Sequence, residues 1–254
     1  MNSIRSSKST AWGRLLLAAA LVSLVGGAYW LKIRPTPTPG ESASQGSTDS
    51  LLALGIRLQQ AQQYDGALAA YKQVLQRDPA NRHAHYNIAQ ISNERGQYAE
   101  ARAEYESALR ADPQFLDARL NLGVVLYRQR QFTAAAEAFR QVLQAAPTHP
   151  MGLFNLGVTL LELGRADEAI RWLEAALRED PTRADTHYNL GVALSQRGRL
   201  AEAQGAFQKA LALNPMHADA SVELARVYMA QGEKAQAQET LAKAAELNRQ
   251  RLNQ

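Results

Sequence analysis

Asparagine is the residue whose spacing in this sequence most suggests a chemical role. Asn87, Asn121, Asn155 and Asn189 lie 34 residues apart, and each precedes an apolar residue and then Gly or Ala. A carboxamide has both N–H donors and a carbonyl acceptor, so it can pair with the N–H and the C=O of another polypeptide backbone. Since asparagine is a poor helix former, its regular return indicates a surface that binds through hydrogen bonds.

Residues that could catalyse a reaction or hold a metal are not grouped in the sequence. The chain has five histidines and no cysteine, and the lack of cysteine excludes a disulfide, a thiol nucleophile and a cysteine-ligated metal site. His83 and His85 point in different directions on a helix, and His187 is distant from both in the pattern described below. No phosphate-binding loop, Ser/His/Asp signature or HExxH motif is present. We therefore expect no enzyme, no metal and no cofactor.

The charge of the chain is concentrated at its N-terminus. Residues 1–47 hold five basic residues and one acidic residue, which leaves 23 basic and 23 acidic residues from Thr48 onward. A protein that binds nucleic acid concentrates positive charge on its folded surface. Because the part of this chain that should fold is neutral, we expect no nucleic-acid partner.

A period of 34 residues positions the asparagines. Six copies follow one another without insertion, at 48–81, 82–115, 116–149, 150–183, 184–217 and 218–251. With positions numbered 1 to 34 in each copy, position 20 is always Ala, position 8 is Gly or Ala, and position 24 is a large apolar residue. Apolar stripes at positions 4, 7, 8 and 11 and at 20, 24 and 27 predict two helices. Gly at position 15 ends the first helix and Pro at position 32 ends the second.

This pattern resembles the tetratricopeptide repeat family over 48–251. The resemblance implies an all-α fold, a right-handed superhelical solenoid of six helical hairpins in which the first helix of each repeat lines the inner, concave surface. In the sixth copy Arg249 replaces the Pro of position 32, so the last helix is expected to run on toward the C-terminal end, 252–254.

The asparagines occupy position 6, which a helical wheel of about 100° per residue places opposite the apolar stripe and therefore in the groove. Position 9 then adds an apolar strip of valines, and position 5 adds aromatic residues at the flank. Two alternatives stay open, since the asparagines could belong to a solvated face and the valines could contact the next helix. The predicted peptide-binding groove consists of Asn87, Asn121, Asn155, Asn189, Val124, Val158, Val192, Tyr86, Phe154 and Tyr188.

Asn before Leu-Gly is similar to the repeats of O-linked N-acetylglucosamine transferases. In that family the equivalent asparagines hold the backbone of an extended polypeptide, so the resemblance implies the same role for the four asparagines here. It does not extend to Ala53 or Glu223, which occupy position 6 in the first and last copies. The catalytic domain of that family is absent from this sequence.

The N-terminal region contains an apolar segment, Leu15 to Leu31, with 17 uncharged residues. Its length and its basic flanks, 1–14 and Lys32, predict a transmembrane signal anchor; a signal peptide cleaved after Ala28 is the alternative. The Pro/Ser/Gly-rich stretch 32–47 is interpreted as a linker. The charge bias predicts a single-pass membrane protein with a cytoplasmic N-terminus and an extracytoplasmic repeat domain, in the bacterial periplasm, or a secreted or periplasmic protein if the segment is cleaved.

Together these patterns predict a non-catalytic scaffold, tethered to a membrane, that binds an extended peptide of a partner protein in its groove and serves the assembly of an envelope complex. One alternative is a self-associating structural solenoid, with a homo-oligomer formed through the C-terminal helix. Another is an accessory or regulatory subunit that presents a substrate to a separate enzyme.

Overall fold

The computed structural model describes residues 41–252, and all regular structure in this range is helical. Helices of 13 or 14 residues alternate along the chain, except for the longer first and last ones. The twelve helices of this range are α1 (Glu41–Gln60), α2 (Tyr64–Arg77), α3 (Arg82–Glu94), α4 (Tyr98–Ala111), α5 (Leu116–Arg128), α6 (Phe132–Ala145), α7 (Pro150–Glu162), α8 (Ala166–Glu179), α9 (Ala184–Gln196), α10 (Leu200–Leu213), α11 (Ala218–Gln231) and α12 (Lys234–Leu252).

The helices pack as a solenoid of hairpins. Each odd-numbered helix, the first helix of a repeat, packs against the second helix that follows it, and each second helix packs against the next first helix. From α5 to α11 consecutive first helices also contact each other, whereas no two second helices of the described range approach as closely. The first helices therefore lie on the inner side of the curve. The predicted all-α solenoid of six hairpins is confirmed.

Small residues at positions 8 and 20 allow the two helices of a repeat to approach closely. A Cβ atom built on Gly191 would lie 2.6 Å from Cε1 of Phe207, the position-24 residue of the same repeat, whose ring is fully buried. Gly157 and Leu173 are related in the same way. The position-20 alanines are buried in all six repeats. The side-chain sizes expected from the sequence are thus required by the packing.

The first helix of every repeat ends on a residue with left-handed backbone geometry. Four of these residues are glycines, with φ between 71° and 85°. Gln62 and Arg130 occupy the same position in the two remaining repeats and keep the geometry, with φ of 58° and 61°. The turn is therefore set by the repeat, even where the residue type disfavours it.

The two end helices are longer than their counterparts. α1 begins at Glu41, so 41–47, the last part of the stretch interpreted as a linker, is helical. No Pro occurs between residue 40 and residue 78 to stop a helix there. α12 has 19 residues where the other second helices have 14, as the replacement of Pro by Arg249 predicts.

The predicted fold class needs one correction. Among residues 41–252 no helix is long and apolar enough to cross a membrane, so the fold described here is the helical solenoid without a transmembrane helix. The predicted localisation as a single-pass membrane protein is withdrawn on the same finding. The segment 15–31, on which both predictions were based, lies outside the described residues.

Candidate functional site

The four position-6 asparagines lie on consecutive first helices, α3, α5, α7 and α9, but they are not equivalent. Asn87 and Asn121 are half-buried. Asn155 and Asn189 are buried, with 2% and 1% of their surfaces exposed. The predicted ladder therefore has an accessible half in the second and third repeats and a closed half in the fourth and fifth.

The accessible half belongs to a hydrogen-bonded chain that crosses three repeats. The side-chain N–H groups of Asn121 and Gln90 both donate to the hydroxyl of Tyr86, at 3.1 Å and 3.0 Å. Gln59 donates to Gln90 at 3.4 Å. Burial and the negative charge of Asp117 raise the pKa of Tyr86, so its hydroxyl keeps its proton at neutral pH. The chain leaves carboxamide acceptors of this wall available to a ligand.

The closed half contains polar atoms without partners. The side chain of Asn189 donates to the carbonyl oxygen of Asp185 at 2.7 Å, but its own Oδ1 atom is buried without a partner. Neither amide atom of Asn155 has a hydrogen-bond partner among the described residues. A buried polar group left unpaired costs about 1–3 kcal/mol. Asn155 thus presents a donor and an acceptor that the described part of the chain leaves unsatisfied.

The position-9 valines differ from the expected exposed strip. Val124 and Val192 are 9% exposed and Val158 is 1% exposed. The physical reason is that consecutive first helices contact each other on this side and cover the valines. The structure agrees with the alternative reading, in which these residues pack against the next helix.

Each position-5 aromatic residue of the predicted site stacks on the last residue of its own repeat. The ring centroids of Tyr86 and Phe115 are 4.9 Å apart, and those of Tyr188 and His217 are 4.7 Å apart. In the fourth repeat the guanidinium of Arg183 lies 4.4 Å from the ring centroid of Phe154. The sequence reading missed position 34, although planar side chains at Phe115, Arg183 and His217 gave a signal at the same spacing.

The histidines take part in contacts within repeats. His85 lies 2.6 Å from Glu104 and 3.0 Å from the carbonyl oxygen of Pro79, and both distances are measured from its ring nitrogens. His217 accepts a hydrogen bond from the backbone N–H of Ala220 and so caps α11. Within the described range no His, Asp and Glu side chains form a group that could hold a metal ion.

Comparison with protein families accounts for the whole described solenoid. Models of the tetratricopeptide repeat match residues 52–114, 94–150 and 120–184, and also 153–216 and 194–253. The chain belongs to the tetratricopeptide repeat family. Proteins of this family are generally non-catalytic, and the tetratricopeptide repeats of this chain form a scaffold for protein–protein interaction.

Solved tetratricopeptide repeat structures resemble the chain. MamA from Desulfovibrio magneticus RS-1 is 26% identical, with a TM-score of 0.64 over 66% of this chain and 96% of MamA. YrrB, described as a TPR protein with an unusual peptide-binding site, is 26% identical, with a TM-score of 0.63 over 71% of this chain and 94% of YrrB. PilF of Pseudomonas aeruginosa, at 19% identity, shares the fold, with a TM-score of 0.69 over 81% of this chain and 93% of PilF. No curated protein matches the chain.

Proposed function

We propose that the tetratricopeptide repeats bind an extended peptide segment of a partner protein along the inner wall. Asn87 and Asn121 contact the peptide at the accessible half of the wall, and Asn155 and Asn189 contact it at the closed half. The observation that carries the proposal is the carboxamide of Asn155, which is buried with both polar atoms unpaired. A peptide backbone supplies the acceptor and the donor that this group lacks.

The spacing of the asparagines suits a backbone ligand. Packed helices are about 8–10 Å apart, and an extended chain advances about 3.3–3.6 Å per residue. Successive asparagines would therefore meet peptide groups about two or three residues apart. Because the contacts are to the main chain and Thr48 onward is formally neutral, the selectivity for peptide sequence should be weak.

Access to the closed half requires side chains to move. Phe154 is 1% exposed and is stacked under the guanidinium of Arg183, beside Asn155 in the sequence. Burial lowers the pKa of Arg183, although the neighbouring Asp185 and Asp180 favour its charged form. A peptide that reaches Asn155 exchanges an unpaired amide for two hydrogen bonds, and this gain offsets the displacement of the edge residues. The similarity to YrrB, a peptide-binding relative at 26% identity, supports a peptide as the ligand class.

The test is the substitution Asn155→Leu, which keeps the side-chain size and removes the unpaired amide. We expect the free energy of unfolding to rise by about 1–3 kcal/mol, and the affinity for peptide to fall by about tenfold or more. The probes are random-sequence peptides selected by display on the full chain, and affinities are measured by calorimetry. Loss of binding in a more stable variant cannot be ascribed to unfolding.

A matched control distinguishes the wall from carboxamides in general. The ladder variant changes the four position-6 asparagines to Ala, and the control changes four exposed glutamines of second helices to Ala, namely Gln73, Gln76, Gln144 and Gln238. We expect the ladder variant alone to lose the selected peptides. Unchanged affinity in the ladder variant would show that the peptide binds elsewhere.

A further inference from the structure

The two ends of the solenoid expose apolar side chains that internal repeats bury. On the first repeat, Leu54 and Ile56 are each 39% exposed. On the sixth, Val222, Met229 and Leu241 are 42%, 54% and 45% exposed. At position 24, which Leu241 occupies, the corresponding residues of the first five repeats are fully buried. Each end therefore resembles one half of a repeat-to-repeat interface.

The internal interfaces show which positions meet across such a joint. Position 5 of one repeat contacts position 6 of the next, as in the hydrogen bond between Tyr86 and Asn121. Position 12 contacts position 9 of the next repeat, as in the pair Gln59 and Gln90. Both internal pairs are polar. The structure therefore defines a register that can be applied to the two ends.

In this register the exposed ends of two copies are complementary. Position 5 of the sixth repeat is Val222, which would face Ala53, the position-6 residue of the first repeat of another copy. Position 12 is Met229, which would face Ile56 at position 9. Both pairs are apolar at the ends, where the internal pairs are hydrogen-bonded. We propose that a second copy of this chain docks head to tail, with its first repeat on the sixth repeat of the first copy.

The extra length of the end helices fits the same joint. At every internal junction a second helix leads through a short loop into an antiparallel first helix, so the C-terminal end of one lies at the same edge as the N-terminal start of the other. α12 continues past the point where the other second helices stop, and α1 begins before the start of its repeat. In a stacked pair these two extensions run side by side and enlarge the contact.

One residue weakens the joint. Position 10 is buried in repeats two to six, and in the first repeat it is Arg57, which is exposed. Docking places its charged group at the interface, and this opposes burial unless the group reaches water. The joint is therefore reversible and depends on concentration. Because the two faces differ, the contact is heterologous, and repeated docking gives open chains instead of a closed dimer.

The experiment is sedimentation of the full chain over a range of concentrations. We expect the average mass of the wild-type protein to rise with concentration, Arg57→Leu to strengthen the association, and Met229→Glu to weaken it by about tenfold or more. Met216→Glu is the matched control, since Met216 is 37% exposed outside the two end faces. Circular dichroism verifies that the variants are folded, which their exposed positions favour.

A mixing experiment tests the head-to-tail arrangement itself. Met229→Glu removes one face and Ile56→Glu removes the other, so neither variant associates alone. Their mixture retains one intact joint and should give a one-to-one dimer and nothing larger. A mixture that stays monomeric would overturn the proposal, as would an Ile56→Glu variant that still associates. A wild-type protein that remains monomeric would also overturn it, including the case in which residues 1–40 of the same chain cover an end face. Since these changes lie outside the asparagine wall, selected peptides should still bind the variants if the proposed function is correct.

Discussion

The contact between Gly191 and Phe207 leads to a quantitative prediction about what the repeat period enforces. The substitution Gly191→Ala adds one methyl group at a place where it would lie 2.6 Å from the Phe207 ring. This ring is fully buried, so it can move only by displacing its neighbours. Gly205 offers the matched control, because it also lies inside a helix and a Cβ atom added there meets nothing within 4 Å.

The magnitudes separate the two variants. Replacing Gly by Ala inside a helix gains about 1 kcal/mol from helix propensity at both sites. At Gly191 the added methyl also overpacks the interface, which costs about 1–3 kcal/mol. We therefore expect Gly205→Ala to be more stable than the wild-type protein by up to about 1 kcal/mol, and Gly191→Ala to be less stable than Gly205→Ala by about 1–3 kcal/mol.

Urea unfolding followed by circular dichroism measures the difference. The double variant Gly191→Ala, Phe207→Leu should recover part of the loss, because it reproduces the pairing of Ala225 with Leu241 in the sixth repeat. Ala89 with Tyr105 in the second repeat shows that the methyl group fits when the surrounding side chains are arranged for it. Equal stabilities for the Gly191→Ala and Gly205→Ala variants would refute the close-approach argument.

Two further predictions concern the turn and the pH dependence. Arg130 has φ of 61°, so Arg130→Gly should raise the thermal midpoint, by about 1 kcal/mol in stability, less the loss of its contact with the Phe132 ring; a lowered midpoint in calorimetry would contradict this. Burial, aided by the charge of Arg82 and opposed by Asp112, lowers the pKa of His83 below its usual value of 6.5. The unfolded chain therefore takes up this proton first, and stability present above pH 6.5 is lost as the pH falls toward the lower folded pKa. His83→Gln should reduce the loss of thermal midpoint on acidification, and an unchanged slope would count against this assignment.

The architecture could be predicted because it depends on side-chain size and backbone geometry that the period repeats. Ala at position 20, a large residue at 24 and Pro at 32 each act within one hairpin, so one repeat predicts the next. Position 15 illustrates the strength of this reasoning, since Gln62 and Arg130 adopt the left-handed geometry of the glycines they replace.

The site was harder to predict because its state depends on contacts between repeats. A helical wheel places Asn87 and Asn155 at the same angle, yet one is half-buried and the other is buried. The difference arises from the neighbours, since α7 is buried without interruption from Gly152 to Leu161. The wheel describes one helix and carries no information on how closely the next first helix approaches, which is also why the valines were expected to be exposed.

The unbroken register has a consequence for the length of the molecule. Because every repeat enters and leaves at the same positions, removing residues 116–149 joins Phe115 directly to Pro150, as the last residue of one repeat to the first of another. The chain can therefore gain or lose reach in steps of 34 residues without a new kind of joint, whereas a deletion of any other length would misalign every helix that follows. Changes in the size of this protein during evolution are thus expected to occur as whole-repeat duplications and losses, with the number of asparagines along the wall changing by one each time.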